Sequence, residues 1–177
     1  MLIDSLVSFL PIGSNLSIVA ATGVDTPSNV IDLLGAGVGV APPNIIGQAT
    51  VFGTDLGVGG KRPEINVVVG TAFQTSNSAT LNVALQAAID DGTYNPGTWN
   101  TIVETGEIAA ASLTAGQIIA RFPFLPAFPD NLNPRFVRLL FQVPASTAFT
   151  AGTIASATVT MVRDDYAAKF ASRNFAV

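Results

Sequence analysis

Few residues in this chain can do chemistry, and their spacing limits what each could do. Asp90-Asp91 and Asp164-Asp165 are the adjacent acidic pairs. Neighbouring side chains on a strand point to opposite faces, so such a pair does not converge on one metal from extended chain. The turn-rich stretch DDGTYNPG, residues 90–97, offers oxygen atoms from Asp90, Asp91 and Asn95. Calcium takes such ligands, but the spacing matches no known calcium loop, and a structural turn is the simpler reading. A glycosidase needs two carboxylates facing each other across a cleft. The twelve acids are scattered without a repeated motif, so nothing in the sequence pairs them.

Two glycine-rich stretches invite a phosphate-loop reading. In GAGVGVAPPNIIG, residues 35–47, the pattern G-x-G-x-x-G fails at its final position, where Val40 stands. Pro42 and Pro43 then stop the loop from opening a helix, which removes the phosphate-cradling geometry. Gly60-Lys61 is no better, because Asp55 occupies the place of the first glycine of a P-loop. Cysteine and histidine are absent. Disulfides, thiol nucleophiles, Cys/His zinc sites and imidazole-based triads go with them. The sequence therefore assigns no catalytic, cofactor-binding or metal-ligating residue, and the expectation is a protein that is not an enzyme and needs no cofactor.

The elements that could hold a site are strands. PRFVRLLFQV places Val137, Leu139, Phe141 and Val143 on one face, and Phe136, Arg138, Leu140 and Gln142 on the other. Period-two alternation of this kind marks a strand with one face on a core, and here the second face also needs cover. After a connection at 144–152, Ala155, Ala157, Val159 and Met161 alternate with Ser156, Thr158 and Thr160. Leu81, Val83, Leu85, Ala87 and Ile89 alternate in the same way, and the turn at 90–97 leads to a further strand over 98–105. Shorter candidates lie at 16–20, 29–34, 49–53, 64–73, 107–112 and 117–122. Eight to ten short strands with no long helix predict an antiparallel β-sandwich.

Residues 1–28 read differently. Leu2, Leu6, Phe9 and Leu10 sit near helical spacing ahead of a break at Pro11 and Gly13. This segment either packs on its own domain or forms an arm that reaches a neighbour. The division adopted is an N-terminal arm at 1–28 and a sandwich at 29–177 ending in a short aromatic tail. The strip FPFLPAFPDNLNP, residues 122–134, has prolines at 123, 126 and 129. It caps the sandwich or forms a docking strip through Phe124 and Phe128. Tyr166, Phe170 and Phe175 in the tail invite the same two readings.

Charged residues make up 11% of the 177-residue chain and hydrophobic ones 49%. Average soluble proteins are about 25% charged, so a chain this apolar lies in a membrane or has its surface covered by partners. Prolines and glycines break the long uncharged windows, which leaves no stretch of roughly 20 apolar residues for a spanning helix. The net charge of −4, with eight scattered Lys and Arg, argues against nucleic acid as a partner.

NVIDLL near residue 30, TLNVALQAAIDDG followed by Trp99, and PRFVRLLFQV with TAGTIASATVTMVRDD resemble the capsid cement (decoration) proteins of short-tailed bacteriophages. The likeness runs over most of residues 29–177, and the aromatic ending fits it. It implies a jelly roll, made in the host cytoplasm, that sits on the outer capsid surface of the virion. There it would clamp neighbouring major capsid protein subunits, as a homodimer or, alternatively, a trimer. The interface residues expected on this reading, toward capsid or a sister subunit, are Leu2, Leu6, Phe9, Leu10, Phe124, Phe128, Tyr166, Phe170 and Phe175. A second resemblance is to discoidin-like carbohydrate-binding sandwiches, with Trp99 as the stacking platform.

Overall fold

The computed structural model describes residues 8–10, 13–19, 25–33, 63–124 and 134–160. Its strands are β1 (Leu16–Ser17), β2 (Asp25–Pro27), β3 (Ile31–Asp32), β4 (Glu64–Val69), β5 (Gln74–Thr75) and β6 (Thr80–Asp90). They continue with β7 (Pro96–Glu104), β8 (Ile108–Ala109), β9 (Ile118–Pro123), β10 (Phe136–Gln142), β11 (Phe149–Ala151) and β12 (Thr153–Thr160). A short 3-10 turn, Ala110–Ser112, follows β8 where the sequence suggested a longer strand.

The strands form an all-β sandwich. One sheet has the order β1-β12-β4-β9; the other runs β2-β10-β6-β7, with β3 also on β10 and β8 on β6. A small ribbon pairs β11 with β5, and every ladder is antiparallel. β2 and β3 act as one strand position along β10. In the gap between them Ser28 exchanges hydrogen bonds with Leu139, its N–H donating to the carbonyl and its Oγ accepting from the amide, each at 2.8 Å.

Counted this way, eight main positions pair first with last: β1 with β12, β2/β3 with β10, β4 with β9, and β6 with β7. Nested pairing of this sort is a long antiparallel hairpin rolled around a core. The sandwich is thus jelly-roll-like.

Alternation built these elements as expected on β10 and on β6 up to Ala87, whereas Ile89, next in the series, is 47% exposed. Leu81, Val83, Leu85 and Ala87 are fully buried opposite Val137, Leu139 and Phe141, in the register Leu85↔Leu139 and Val83↔Phe141. Ile65, Val67 and Val69 of β4 and Ile154 and Ala157 of β12 belong to the same core. β10 and β12 are each flanked by strands on both sides, but they lie in different sheets, so residues 144–152 cross from one sheet to the other. On β12 the alternation departs from expectation. A register shift between Ile154 and Ser156 makes Ile154, not Ala155, the buried neighbour of Ala157 on the inner face.

The N-terminal segment also departs from expectation. Its described residues are built into the sandwich and are not a separate arm. Ser8 bridges to Thr158, β1 pairs with β12, and β2 pairs with β10. Phe9 ties the two sheets together: its N–H donates to Ala157 at 2.9 Å, and its carbonyl accepts from Asn29 at 2.9 Å. The physical reason is burial, since a phenylalanine packed on its own core needs no partner chain to leave water.

Candidate functional site

The outer face of β10, β6 and β7 gathers the polar and aromatic side chains that alternation turned away from the core. Register sorts them into rows. Phe136 lies opposite Ala88, which lies opposite Trp99; Arg138 lies opposite Gln86 and then Thr101; Gln142 lies opposite Asn82 and, on its other side, Asp25.

The first row is closed by a charged clamp at the tip of the β6–β7 turn. Arg135 donates through Nε and Nη2 to the two carboxylate oxygens of Asp32, at 2.9 and 2.8 Å, and through Nη1 to Asp90. Its guanidinium also sits 5.0 Å from the Phe136 ring centre and 5.1 Å from that of Tyr94. The clamp raises the already high pKa of Arg135, chiefly through the Asp32 hydrogen bonds, which outweigh partial desolvation. At Asp90 desolvation works to raise the pKa. Hydrogen bonds from the Gly92 N–H, Arg135 and the Tyr94 N–H outweigh it and hold the carboxyl below its ordinary value.

The turn that follows is locked by its own backbone. Asp91 accepts from the Thr93 hydroxyl and N–H, both at 2.7 Å, and from the Asn95 N–H at 3.3 Å, which lowers its pKa too. These are Asx-type turn bonds, which commit Asp90 Oδ1 and Asp91 Oδ1 to holding the turn. Among the described residues no group of three or more acids forms a candidate metal cluster. The turn instead presents Tyr94, whose φ of 66° and 78% exposure set its ring out in solvent.

The second row is a stack. Arg138 lies over Trp99 with its guanidinium carbon 4.2 Å from the ring centre, and its Nε donates to Gln86 at 2.9 Å. Gln86 in turn donates to Thr101 at 3.2 Å. Burial lowers the pKa of Arg138 without removing its charge at neutral pH.

At the far end the face opens into a groove of about 400 Å³ lined by Asp25, Asn82, Glu107, Gln142 and Val143–Ala145. Asn82 donates to Glu104 at 2.9 Å and to Gln142 at 3.2 Å, and accepts from Thr105. Among the described residues the lining mixes these polar groups with Val143, Pro144 and Ala145 and holds no aromatic ring. Asn82 and Ala88, the partner of Trp99, are six residues apart on β6, or roughly 20 Å at strand rise. A sugar in the groove is therefore out of reach of Trp99, and Arg138 already covers one face of that indole.

Three of the interface residues expected from sequence fall in the chain's own core. Phe9, Leu10 and Phe124 are 0, 4 and 2% exposed, and Phe9 meets Phe124 edge to face at 6.4 Å. They are spent on internal packing and are not held out for a neighbour. Leu2, Leu6, Phe128, Tyr166, Phe170 and Phe175 lie outside the described residues, as do Asp164-Asp165 and both glycine-rich stretches.

Sequence reasoning did not single out Tyr94, Arg135 or Arg138 as site residues. The available signal was Arg138 at an outward position of an otherwise apolar strand. Its pairing with Trp99 depends on a register with two irregularities in the β6–β7 ladder, which spacing alone does not reveal. Compared with known protein families and with curated proteins, the chain matches neither a family nor an individual protein.

Proposed function

We propose that this protein is a structural component of a bacteriophage virion, a jelly-roll cement that binds the outside of the head and links neighbouring major capsid subunits. The observation that carries the reading is the nested strand order, β1-β12-β4-β9 against β2-β10-β6-β7. Jelly rolls of this kind recur in viral capsid and lectin domains. Fold alone does not name a function, so composition matters beside it. A chain with 11% charged residues is suited to a surface covered by partners.

The outer face of β10, β6 and β7 supplies contact chemistry of the right kind. Tyr94 stands on a turn fixed by its own hydrogen bonds, so it gives up little entropy on docking. Tyr, Trp and Arg are the residue types that dominate interface energetics, and Tyr94, Trp99, Arg135 and Arg138 share this face. Such a protein acts by mass action: it binds the assembled lattice and not the separated subunits, and so stabilises the lattice. Self-association as a homodimer, with a trimer as the alternative, belongs to the same reading.

The experiment is to heat heads assembled without the protein, with and without added purified chain, and to follow release of packaged DNA. The reading expects release to shift to higher temperature at saturating protein. An unchanged release temperature with no co-sedimentation overturns it.

The groove of Asp25, Asn82, Glu107 and Gln142 favours a second reading, glycan binding, because its carboxylates and amides match sugar hydroxyls. A glycan array decides that reading, and a hit lost on Gln142→Ala supports it.

A further inference from the structure

The outermost strands of a sheet leave backbone N–H and C=O groups unpaired, and proteins blunt them with brevity, charge or proline. Among the described residues the edges of this sandwich follow that rule, with one exception. β1, β3 and β8 have two residues each. β2 has three and includes Asp25 and Pro27, while β9 carries Arg121 and ends in Pro123. β7 is nine residues long, and past its opening Pro96-Gly97 it reads TWNTIVE, with Glu104 at its end as the single charge. Thr98, Asn100 and Thr101 are exposed along it.

The register indicates which backbone groups face outward. Thr105 N–H donates to Val83 C=O at 3.0 Å, and Ala88 C=O accepts from Arg135 on the opposite side of β6. Odd-numbered residues of β6 therefore face β7, and Ala87 opposes Asn100. Alternation in an antiparallel ladder then turns the N–H and C=O of Trp99 and Thr101 to the open side.

We propose that β7 pairs antiparallel with β7 of a second copy, joining two six-stranded sheets into one across a two-fold axis. Three features select a second copy as the occupant. A two-fold axis perpendicular to the sheet sets a strand antiparallel to itself, so one edge completes the interface. For an axis passing through residue 100 or 101, Glu104 falls opposite Pro96 or Thr98 of the other copy, and no like charges meet. Threonine, tryptophan, isoleucine and valine are the side chains that make favourable cross-strand pairs.

This inference deepens the self-association part of the proposed function and rests on it for that alone; it requires no capsid. The dimer also gives a use for the Tyr94 tips. β7 spans about 30 Å, and antiparallel pairing sets one tip at each end of the joint. Two tips that far apart form a bivalent contact.

The test is amide hydrogen exchange on the unmodified protein, at a concentration where light scattering gives a dimer and again after dilution to monomer. The proposal expects the Trp99 and Thr101 amides to be protected at least tenfold more in the dimer than in the monomer. It also expects Asn100→Lys, which sets two lysines near the axis, to weaken dimerisation at least tenfold. Where that variant fails to fold, exchange on the natural chain decides. A monomer at every concentration overturns this inference and the homodimer reading together. A dimer whose Trp99 and Thr101 amides exchange as fast as in the monomer overturns the β7 assignment and leaves self-association standing.

Discussion

Arg135 holds Asp32 in a two-pronged grip, Nε to Oδ1 at 2.9 Å and Nη2 to Oδ2 at 2.8 Å, while its third nitrogen reaches Asp90. One side chain thereby ties β3, the start of β10 and the β6–β7 turn, three elements far apart in sequence. Arg135→Met is expected to lower the unfolding temperature, because it removes the two-pronged bond to Asp32 and the ion pair with Asp90. Calorimetry at neutral pH checks the direction.

The same clamp has a pH signature. Asp90 and Asp91 both have folded pKa values below their ordinary ones. A depressed carboxylate contributes stability that is complete above the unfolded pKa, about 3.9, and is lost as pH falls through the lower folded value. Melting temperature should therefore hold level in this respect above about pH 5 and fall below about pH 4. In Arg135→Met the acid fall should be shallower, because the Arg135 contribution to Asp90 is gone. An equally steep fall in the variant would mean that the backbone donors of the turn carry the whole effect.

Phe9 tests whether the N-terminal segment is core. Fully buried, and set edge to face with Phe124 at 6.4 Å, it should cost about 3–5 kcal/mol when truncated to alanine. Phe141→Ala, equally buried on β10, should cost a similar amount. Denaturant unfolding of the isolated chain measures both. A free arm would give a near-neutral Phe9→Ala beside a costly Phe141→Ala.

The strand system was largely legible in the sequence, and the reason is physical. On β10, and on β6 as far as Ala87, one face is buried, so period two survives in the residue types; it ends at Ile89, which is exposed. It fails on β12, where the irregularity between Ile154 and Ser156 shifts the phase and defeats simple alternation. The N-terminal segment misled for a different reason. Leu2, Leu6, Phe9 and Leu10 show helical spacing, but Ser8–Leu10 take their place by bonding to Thr158, Ala157 and Asn29, partners that no local pattern reveals. The DDGTYNPG turn could be read as a turn, because Asp, Gly and Asn carry turn chemistry locally. The stack of Arg138 on Trp99 could not, because it depends on long-range register.

Gly152 tests the crossing between the sheets. Its φ of +148° suits glycine, and a Cβ there would lie 2.4 Å from Phe73 Cδ1. Phe73 cannot retreat easily, since Phe149 packs against it edge to face at 4.8 Å. Gly152→Ala should destabilise by about 1–3 kcal/mol through overpacking, with the backbone strain added. Phe73→Leu in the same chain should recover part of that loss. No recovery would assign the cost to backbone conformation alone.

Tyr94 separates docking from folding. Tyr94→Asn keeps a residue that tolerates positive φ while removing the exposed ring. Melting should change by no more than about 1 kcal/mol, the size of an exposed contact between a ring and the Arg135 guanidinium. Attachment to heads should weaken measurably in co-sedimentation. Unaltered attachment would remove the tip from the contact surface.

The central claim is that this chain is a head cement, and counting bound copies tests it most directly. Purified protein is titrated onto empty heads assembled without it, and the ratio of bound chain to major capsid protein is measured after sedimentation. The account predicts saturation at a fixed stoichiometric ratio, with density on the outer surface of the head at symmetry-related positions. Heads that stay bare at saturating protein would contradict it.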